Sequence, residues 1–365
     1  MARVLVIGAG VVGLAVADAL ATRGHDVVLC ERHAAVGQET SSRNSEVLHA
    51  GLYYPPGSLK ALLCVEGRER LVSFCRTEGV AHQWIGKAIV ATDTEELPEL
   101  AAIQTRAVAC GAVPLQPMTR AELARRLPQV RAVAGLWSPG TGIVDSHGLM
   151  QRLLARLLRQ DGVLLLGREV VEAELVPSGG FRVTLQGAAG REVDRFDAVV
   201  NAAGLLADRV ARLMAPDPKA VPDVIPVKGS WFALAGPTPA DALVYPVPAP
   251  HLLGLGVHLT VDRTGRARLG PDTQPATSLE DLRVDPSRAA AFLASAQRYL
   301  PGLRLQDLRP DTAGLRPKLA VDRFADFVVD ERTSWGRPGW IDLLGIESPG
   351  LTASLAIGAR VSAMV

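Results

Sequence analysis

Gly8, Gly10 and Gly13 stand at the G-x-G-x-x-G spacing, and Glu31 follows 18 positions after the third glycine. This is chemistry for holding a pyrophosphate. Gly8 lets the chain turn tightly out of a strand, Gly10 leaves no Cβ to block the phosphates, and Gly13 lets a helix pack close to a sheet. Val11 and Val12 would lie against the cofactor, and the helix that follows aims its free N–H groups and positive dipole end at the anion. Glu31, followed by Arg32, can accept hydrogen bonds from a ribose diol and would repel a 2′-phosphate. These residues require an ADP-bearing cofactor and leave NAD and FAD equally open.

The elements that must position them are legible nearby. Val4–Ile7 is an aliphatic, β-branched run of the kind a doubly covered parallel strand needs. Leu14–Arg23 reads as a helix ended by Gly24, and Val27–Leu29 as a second buried strand. The chain of 365 residues has room for about two domains. Its net charge of +1 gives no basic surface for nucleic acid. Cys30, Cys64, Cys75 and Cys110 form no C-x-x-C and no zinc pattern, so free thiols in a reducing cytosol and no metal are expected. The first residues form a strand and so do not read as a signal peptide. No apolar run reaches the roughly 18 residues a spanning helix needs, which leaves a cytoplasmic protein, with peripheral membrane contact open.

After Arg32 comes a polar, hydroxyl-rich stretch that includes Thr40, Ser41, Ser42, Asn44 and Ser45. A nicotinamide enzyme would ordinarily run straight into another βα unit here. A long loop returning to the first strand suits a cofactor lying extended across the domain, as FAD does. Thr40-Ser41-Ser42-Arg43-Asn44-Ser45-x-Val47-Leu48-His49-Ala50-Gly51-Leu52-Tyr53-Tyr54, then Pro56-Gly57-Ser58-Leu59-Lys60-Ala61 and Cys64-x-x-Gly67, resembles the FAD-dependent L-2-hydroxyglutarate dehydrogenases and oxidases, within the D-amino-acid-oxidase-like flavoproteins. The resemblance runs from residue 2 to about 358, and residues 40–64, 244–260 and 345–357 carry its most specific pieces. Three positions depart from it: Glu46 stands for glycine, Lys228 for arginine and Asp272 for asparagine.

The resemblance implies noncovalent FAD. It places Val170 beside the adenine and Ala202, Ala203 and Gly204 across the ADP half. Gly314 and the helix start Pro349-Gly350-Leu351-Thr352 would lie at the isoalloxazine, where a helix dipole favours reduction. The fold class is α/β: a Rossmann-like FAD-binding domain of the glutathione-reductase/D-amino-acid-oxidase type, with a second domain on a mixed, largely antiparallel sheet. Residues 1–85, 140–215 and 310–365 would form the first domain, and 86–139 and 216–309 the second.

Other elements follow from periodicity and punctuation. Leu59–Cys75 reads as a helix with Leu62, Leu63, Leu71 and Phe74 on its apolar face. Thr119 and Glu122 make a capping box, and Asp145 or Ser146 caps a helix to Arg159. Phe196–Val200 reads as one strand, Leu255–Thr260 as part of another, and Asp311–Lys318 as a loop carrying two cations.

Oxidation of a 2-hydroxy acid needs a C2–H facing flavin N5, a base for the hydroxyl proton and cations for the carboxylates. His49 is the favoured base and His258 the next; His49 as a structural or flavin-linking residue stays open. His25, His33, His82, His147 and His251 read as surface or turn residues. Arg316, in Gly314-Leu315-Arg316, leads the carboxylate clamp, with Lys318, Lys228, Arg43 and Lys60 behind it. Tyr53, Tyr54 and Tyr245 could donate hydroxyl hydrogen bonds. The expected activity is oxidation of L-2-hydroxyglutarate or a close 2-hydroxy acid to the 2-oxo acid, with a quinone, a carrier or oxygen reoxidising the flavin. An amine or amino-acid oxidase on the same fold, an NAD-dependent dehydrogenase and a non-catalytic nucleotide-binding module are the rivals.

Overall fold

In a computed structural model that describes residues 1–248 and 256–365, the opening apolar run becomes strand Arg3–Ile7, fully buried from Val4 to Val6. It is flanked in parallel by Asp26–Glu31 and Ala198–Asn201. The whole sheet runs Val328–Glu331, Trp340–Leu344, Ala198–Asn201, Arg3–Ile7, Asp26–Glu31, Val163–Leu166. Only the first of these neighbours pair antiparallel. Strands buried on both faces have no use for alternation, which is why they read as unbroken aliphatic runs.

One face is covered by helices. Val11–Thr22 packs on both Ser146–Arg159 and the final helix Gly350–Val361, which also meets Leu59–Glu78. The two ends of the chain thus lie side by side. The other face carries a three-stranded sheet, Glu169–Leu175, Phe181–Gly187 and Gly190–Phe196. Its Phe181, Val183 and Phe196 pack against Leu5, Val28 and Trp340.

The second sheet has nine strands. Leu308–Lys318 pairs with Ile225–Leu234, followed by Ala267–Gly270, His258–Val261, Leu243–Pro246, Lys87–Ala91, Ala134–Ser138 and Gln116–Thr119, with Gln274–Pro275 beside the start of Ile225–Leu234. Among the described residues its one parallel pair is Leu243–Pro246 with Lys87–Ala91. The expected mixed, largely antiparallel sheet is therefore present.

Local signals held at the caps. Thr119 and Glu122 form the capping box, and Asp145 accepts from the Gly148 N–H at 2.9 Å. Four expectations change. Residues 311–318 are not a loop but part of the eleven-residue strand Leu308–Lys318; Pro310, Gly314 and Pro317 hide the pattern, although a strand bonded along one side tolerates proline. By pairing, this strand belongs to the nine-stranded sheet, so that sheet extends past the expected boundary at 309. Phe196–Val200 is not one strand: Phe196 ends a hairpin and Ala198 begins a central strand. Leu62, expected on the buried face of its helix, is 55% exposed, while Leu63 and Leu71 are buried. Leu255 and His251 lie outside the described residues.

Candidate active site and cofactor cavity

Between the two sheets runs one continuous cavity of about 810 Å³. Its first end is built by the opening strand and helix. Gly8 has φ +98°, and a Cβ there would lie 2.6 Å from the Ala202 carbonyl oxygen. A Cβ on Gly13 would fall on the carbonyl oxygen of Gly8. A Cβ on Gly10 would meet Ser41 Oγ at 2.8 Å, because the returning loop caps this helix: Val11 N–H donates to Ser41 Oγ at 2.9 Å. Glu31 is held by two backbone donors, Ala9 N–H at 2.8 Å and His33 N–H at 2.9 Å. Gly8, Gly10, Val11, Val12, Gly13, Glu31, Arg32, Val170, Ala202, Ala203 and Gly204 all line this end of the cavity. Arg32 is paired with Glu39, which also meets His33 Nε2 at 2.8 Å. His33, read as a surface or turn residue, stands in a bend and also lines the cavity wall.

The loop then spans the cavity. Thr40 Oγ1 donates to the Leu315 carbonyl at 2.9 Å, and a Cβ on Gly314 would overlap the Arg43 carbonyl. Gly314 therefore permits the loop and the second sheet to meet. Thr40, Ser41, Asn44 and Ser45 line the cavity; Ser42 does not, and its hydroxyl donates to the Glu39 carbonyl. At the far end Pro349, Gly350 and Leu351 open the last helix onto the cavity. Thr352 is fully buried off the wall: its Oγ1 accepts from His49 N–H at 3.0 Å and donates to the Val47 carbonyl at 3.2 Å. Ser42 and Thr352 thus hold the frame, where direct cofactor contact was expected.

These walls fit FAD. An ADP cradle at one end and a helix start at the other bound a single slot, and the slot holds buried donors that lack a partner among the described residues, Arg43 Nε, Tyr53 Oη and Trp231 Nε1. Such donors are costly unless a ligand satisfies them. A Gly13→Val variant should therefore purify without the flavin absorbance that the parent protein shows; a yellow G13V protein would contradict this assignment.

The far chamber gathers residues remote in sequence. His49, His258, Arg316, Tyr53, Tyr54, Tyr245, Lys318 and Lys60 all face it. Arg316 comes from the strand Leu308–Lys318 and lies over Gly229, where a Cβ would stand 3.2 Å from its Nη2. That nitrogen donates to the Asp272 carbonyl at 2.7 Å and reaches Thr273 Oγ1 at 3.2 Å. Its buried Nε has no partner among the described residues. Burial works against the Arg316 charge, with Glu347 and Asp272 opposing that effect. Lys60 and Lys318 are already matched: each sits 2.9 Å from Glu347 Oε1. Burial opposes the Glu347 charge, but the two ammonium groups hold its carboxyl below the ordinary range.

Lys228, expected in the clamp, points away from the chamber. Its Nζ donates to the Arg283 carbonyl at 2.6 Å and pairs with Asp281 at 3.4 Å. The strand alternation that brings Gly229 and Trp231 to the wall turns Lys228 from it. The remaining departures are absorbed locally. Glu46 adopts φ +58° where a glycine would be unstrained, and its carboxylate accepts from Ser146 N–H at 3.0 Å and Ser146 Oγ at 2.8 Å. Asp272 accepts from Ser230 N–H and pairs with Arg288 at 2.7 Å.

The histidines are neutral at ordinary pH. Burial first, then the Lys87 charge, draw His49 down to about 3; burial and the charges of Lys87 and Arg316 draw His258 to about 3, against the pull of its Gly256 bond. His258 Nδ1–H donates to the Gly256 carbonyl at 2.9 Å, so its lone pair lies on Nε2. His49 Nε2 is 3.4 Å from Ser348 Oγ, which is 3.4 Å from Tyr54 Oη. Unfolded histidine binds a proton near pH 6.5 and the folded ring does not, so acid favours unfolding. For His258 the loss is up to about 1.4 kcal/mol per pH unit below about 6.5. Thermal unfolding of the flavin-loaded protein should fall between pH 7 and pH 5, and less so in His258→Gln.

Reading the sequence missed Trp231, Glu347 and Ser348 as wall residues. Trp231 was findable, since a period of two from Gly229 sets both on one face. Glu347 was not, because its partners Lys60 and Lys318 are remote in sequence.

A dinucleotide cradle joined to a chamber of cations and neutral imidazoles defines a flavin-dependent oxidoreductase. The chain belongs to the DAO family of FAD-dependent oxidoreductases, whose family model matches residues 3–364. It is 38% identical to the mitochondrial L-2-hydroxyglutarate dehydrogenase of Arabidopsis thaliana, over 98% of this chain and 82% of that protein. It is 30% identical to the L-2-hydroxyglutarate dehydrogenase of Indibacter alkaliphilus, over 98% and 97%. Among solved structures it superposes with the L-alpha-glycerophosphate oxidase of Mycoplasma pneumoniae with FAD bound, at a TM-score of 0.88 and 25% identity, covering 100% of this chain and 94% of that one. Glycine oxidase from Geobacillus kaustophilus shares the fold at a TM-score of 0.81 and 22% identity, over 100% and 95%. FAD is the cofactor and a small molecule the substrate. No helix among the described residues is long and apolar enough to cross a membrane.

Proposed function

We propose that this protein oxidises L-2-hydroxyglutarate, or a close 2-hydroxy acid, to the corresponding 2-oxo acid. The observation that carries this reading is Arg316, whose buried Nε has no partner among the described residues, in one chamber with two neutral histidines. Bound FAD would supply the acceptor for the hydride that leaves the substrate carbon. The chain supplies the rest. Arg316 holds the C1 carboxylate. His49 takes the hydroxyl proton at Nε2, with His258 the next choice for that role. Lys60 and Lys318, steadied by Glu347, offer spare ammonium donors to the second carboxylate. The tyrosine rings and the surrounding sheet exclude water from the chamber.

The names of the relatives support the same substrate. The chamber presents cations from separate elements, the strand at 308–318 and the helix at 59–78, which suits a substrate with two carboxylates. A quinone, a carrier protein or oxygen takes the electrons onward. The test is anaerobic addition of L-2-hydroxyglutarate, D-2-hydroxyglutarate, L-lactate and L-amino acids, with bleaching of the flavin as readout, then a quinone or oxygen chase. Rapid bleaching by L-2-hydroxyglutarate with release of 2-oxoglutarate is expected. Bleaching by amino acids alone would overturn the reading. In Lys318→Met, KM for L-2-hydroxyglutarate should rise about tenfold, the loss of ~1.4 kcal/mol, with a smaller change for the monocarboxylate L-lactate.

A further inference from the structure

Lys87 is a fully buried lysine that opens strand Lys87–Ala91. The strand lies inside the nine-stranded sheet, between Leu243–Pro246 and Ala134–Ser138. Ile89 is in register with Tyr245, so Lys87, two residues earlier, shares the face that bears Tyr245. Its ammonium nitrogen stands 4.6 Å from the Tyr53 ring centroid and 4.7 Å from that of Tyr245. Tyr245 in turn stacks on the His258 imidazole, with 3.7 Å between centroids and 25° between planes. Tyr53, Tyr245 and His258 form part of the chamber wall, and Lys87 is set back from it.

A buried ammonium is expensive, and a methionine or leucine would fill the same space without that cost. No carboxylate is among the groups that act on Lys87. Two phenol faces compensate part of the lost hydration through cation–π attraction. The residue is thus out of place as core packing and well placed as a charge.

We propose that Lys87 is a positioning residue for the oxidation: its ammonium, seated between Tyr53 and Tyr245, fixes both rings and the His258 stacked on one of them, and sets a positive charge behind the chamber that leaves the imidazoles of His49 and His258 free to take the substrate proton. The inference rests on the hydroxy-acid reading above. Among the described residues the titratable groups facing Lys87 are Tyr53 from its loop, Tyr245 and His258 from the sheet, His49, and Cys64 from helix Leu59–Glu78; Ser138 is its register neighbour on the other side. Burial draws Lys87 itself down to about 7. It is therefore charged throughout the acid range in which the histidines titrate, and its charge holds both of them down.

The experiment compares Lys87→Met, Lys87→Gln and Lys87→Arg in the flavin-loaded protein. Removing the charge should raise the histidine pKa values. The acid limb of the pH profile for flavin reduction should move up by about one pH unit in K87M and K87Q. The reduction rate should drop ~10-fold or more with KM changed by less than threefold, and K87R should restore the acid limb. Histidine imidazole NMR titration of the 15N-labelled protein reads the same shift without any substrate. A K87M protein with parental kcat and an unmoved pair of imidazole titrations would overturn the proposal. So would failure of both neutral variants to fold while K87R folds, since that assigns Lys87 to stability alone. A parent protein that no 2-hydroxy acid bleaches counts against the proposed function; the NMR arm still decides the role of Lys87.

Discussion

Replacing Arg316 by methionine should lower kcat/KM for L-2-hydroxyglutarate by about 30- to 4000-fold, the ~2–5 kcal/mol that follows from removing one partner of a buried, hydrogen-bonded charge pair. The reason lies in how the other cations of the chamber are used. Lys60 and Lys318 both spend donors on Glu347, and Lys228 faces a different loop. Like Arg43 of the returning loop, Arg316 keeps a buried guanidinium nitrogen without a partner among the described residues. Its Nη2 is fixed by the Asp272 carbonyl, so the planar group is pre-oriented and little entropy is lost when a carboxylate docks. Arg316→Lys should recover only part of the loss, because an ammonium cannot present the parallel pair of donors. Steady-state kinetics on protein with full flavin content decides this. An R316M variant within threefold of the parent would show that the C1 carboxylate is held elsewhere.

His49→Gln should slow anaerobic flavin reduction by about 10²- to 10⁴-fold, the usual contribution of a positioned general base. Glutamine keeps a polar group of similar size but takes no proton at this pH. The His49 backbone is tied to the last helix through Thr352, and its Nε2 lies toward Ser348, next to the helix start at Gly350. That anchorage places a neutral acceptor beside the cavity end expected to hold the flavin ring. His258→Gln is the control: its ring is stacked on Tyr245 and bonded to Gly256, so a smaller loss is expected. The larger loss falling on His258 would exchange the two roles. Stopped-flow reduction separates the outcomes, since it isolates the proton and hydride steps from reoxidation.

Much of this protein is legible along the chain because its defining parts are local. The cradle at Gly8, Gly10 and Gly13 is a strand, a turn and a helix in immediate succession; Gly13 answers the Gly8 carbonyl within that unit, while Gly8 and Gly10 also make room for Ala202 and Ser41. Glu31 ends the next strand, where two nearby amides hold it. The capping box at Thr119 and the N-cap at Asp145 likewise need only residues three positions away. Aliphatic runs announced the parallel sheet, since strands covered on both faces need no polar side.

Only the tertiary structure decided how each of these cations is partnered. Arg316, Lys318, Lys60 and Lys228 look alike in sequence, yet one is left available, two share Glu347 and one is turned away. That outcome depends on strand register and on pairings that join residues far apart, such as Lys60 with Glu347 and Val227 with Arg316. The same holds for Lys87, which reads as the edge of an ordinary strand until Tyr53 and Tyr245 arrive around its ammonium. Spacing along a chain fixes backbone conformation and so the cofactor cradle; the charge of a buried group depends on neighbours that only folding brings to it.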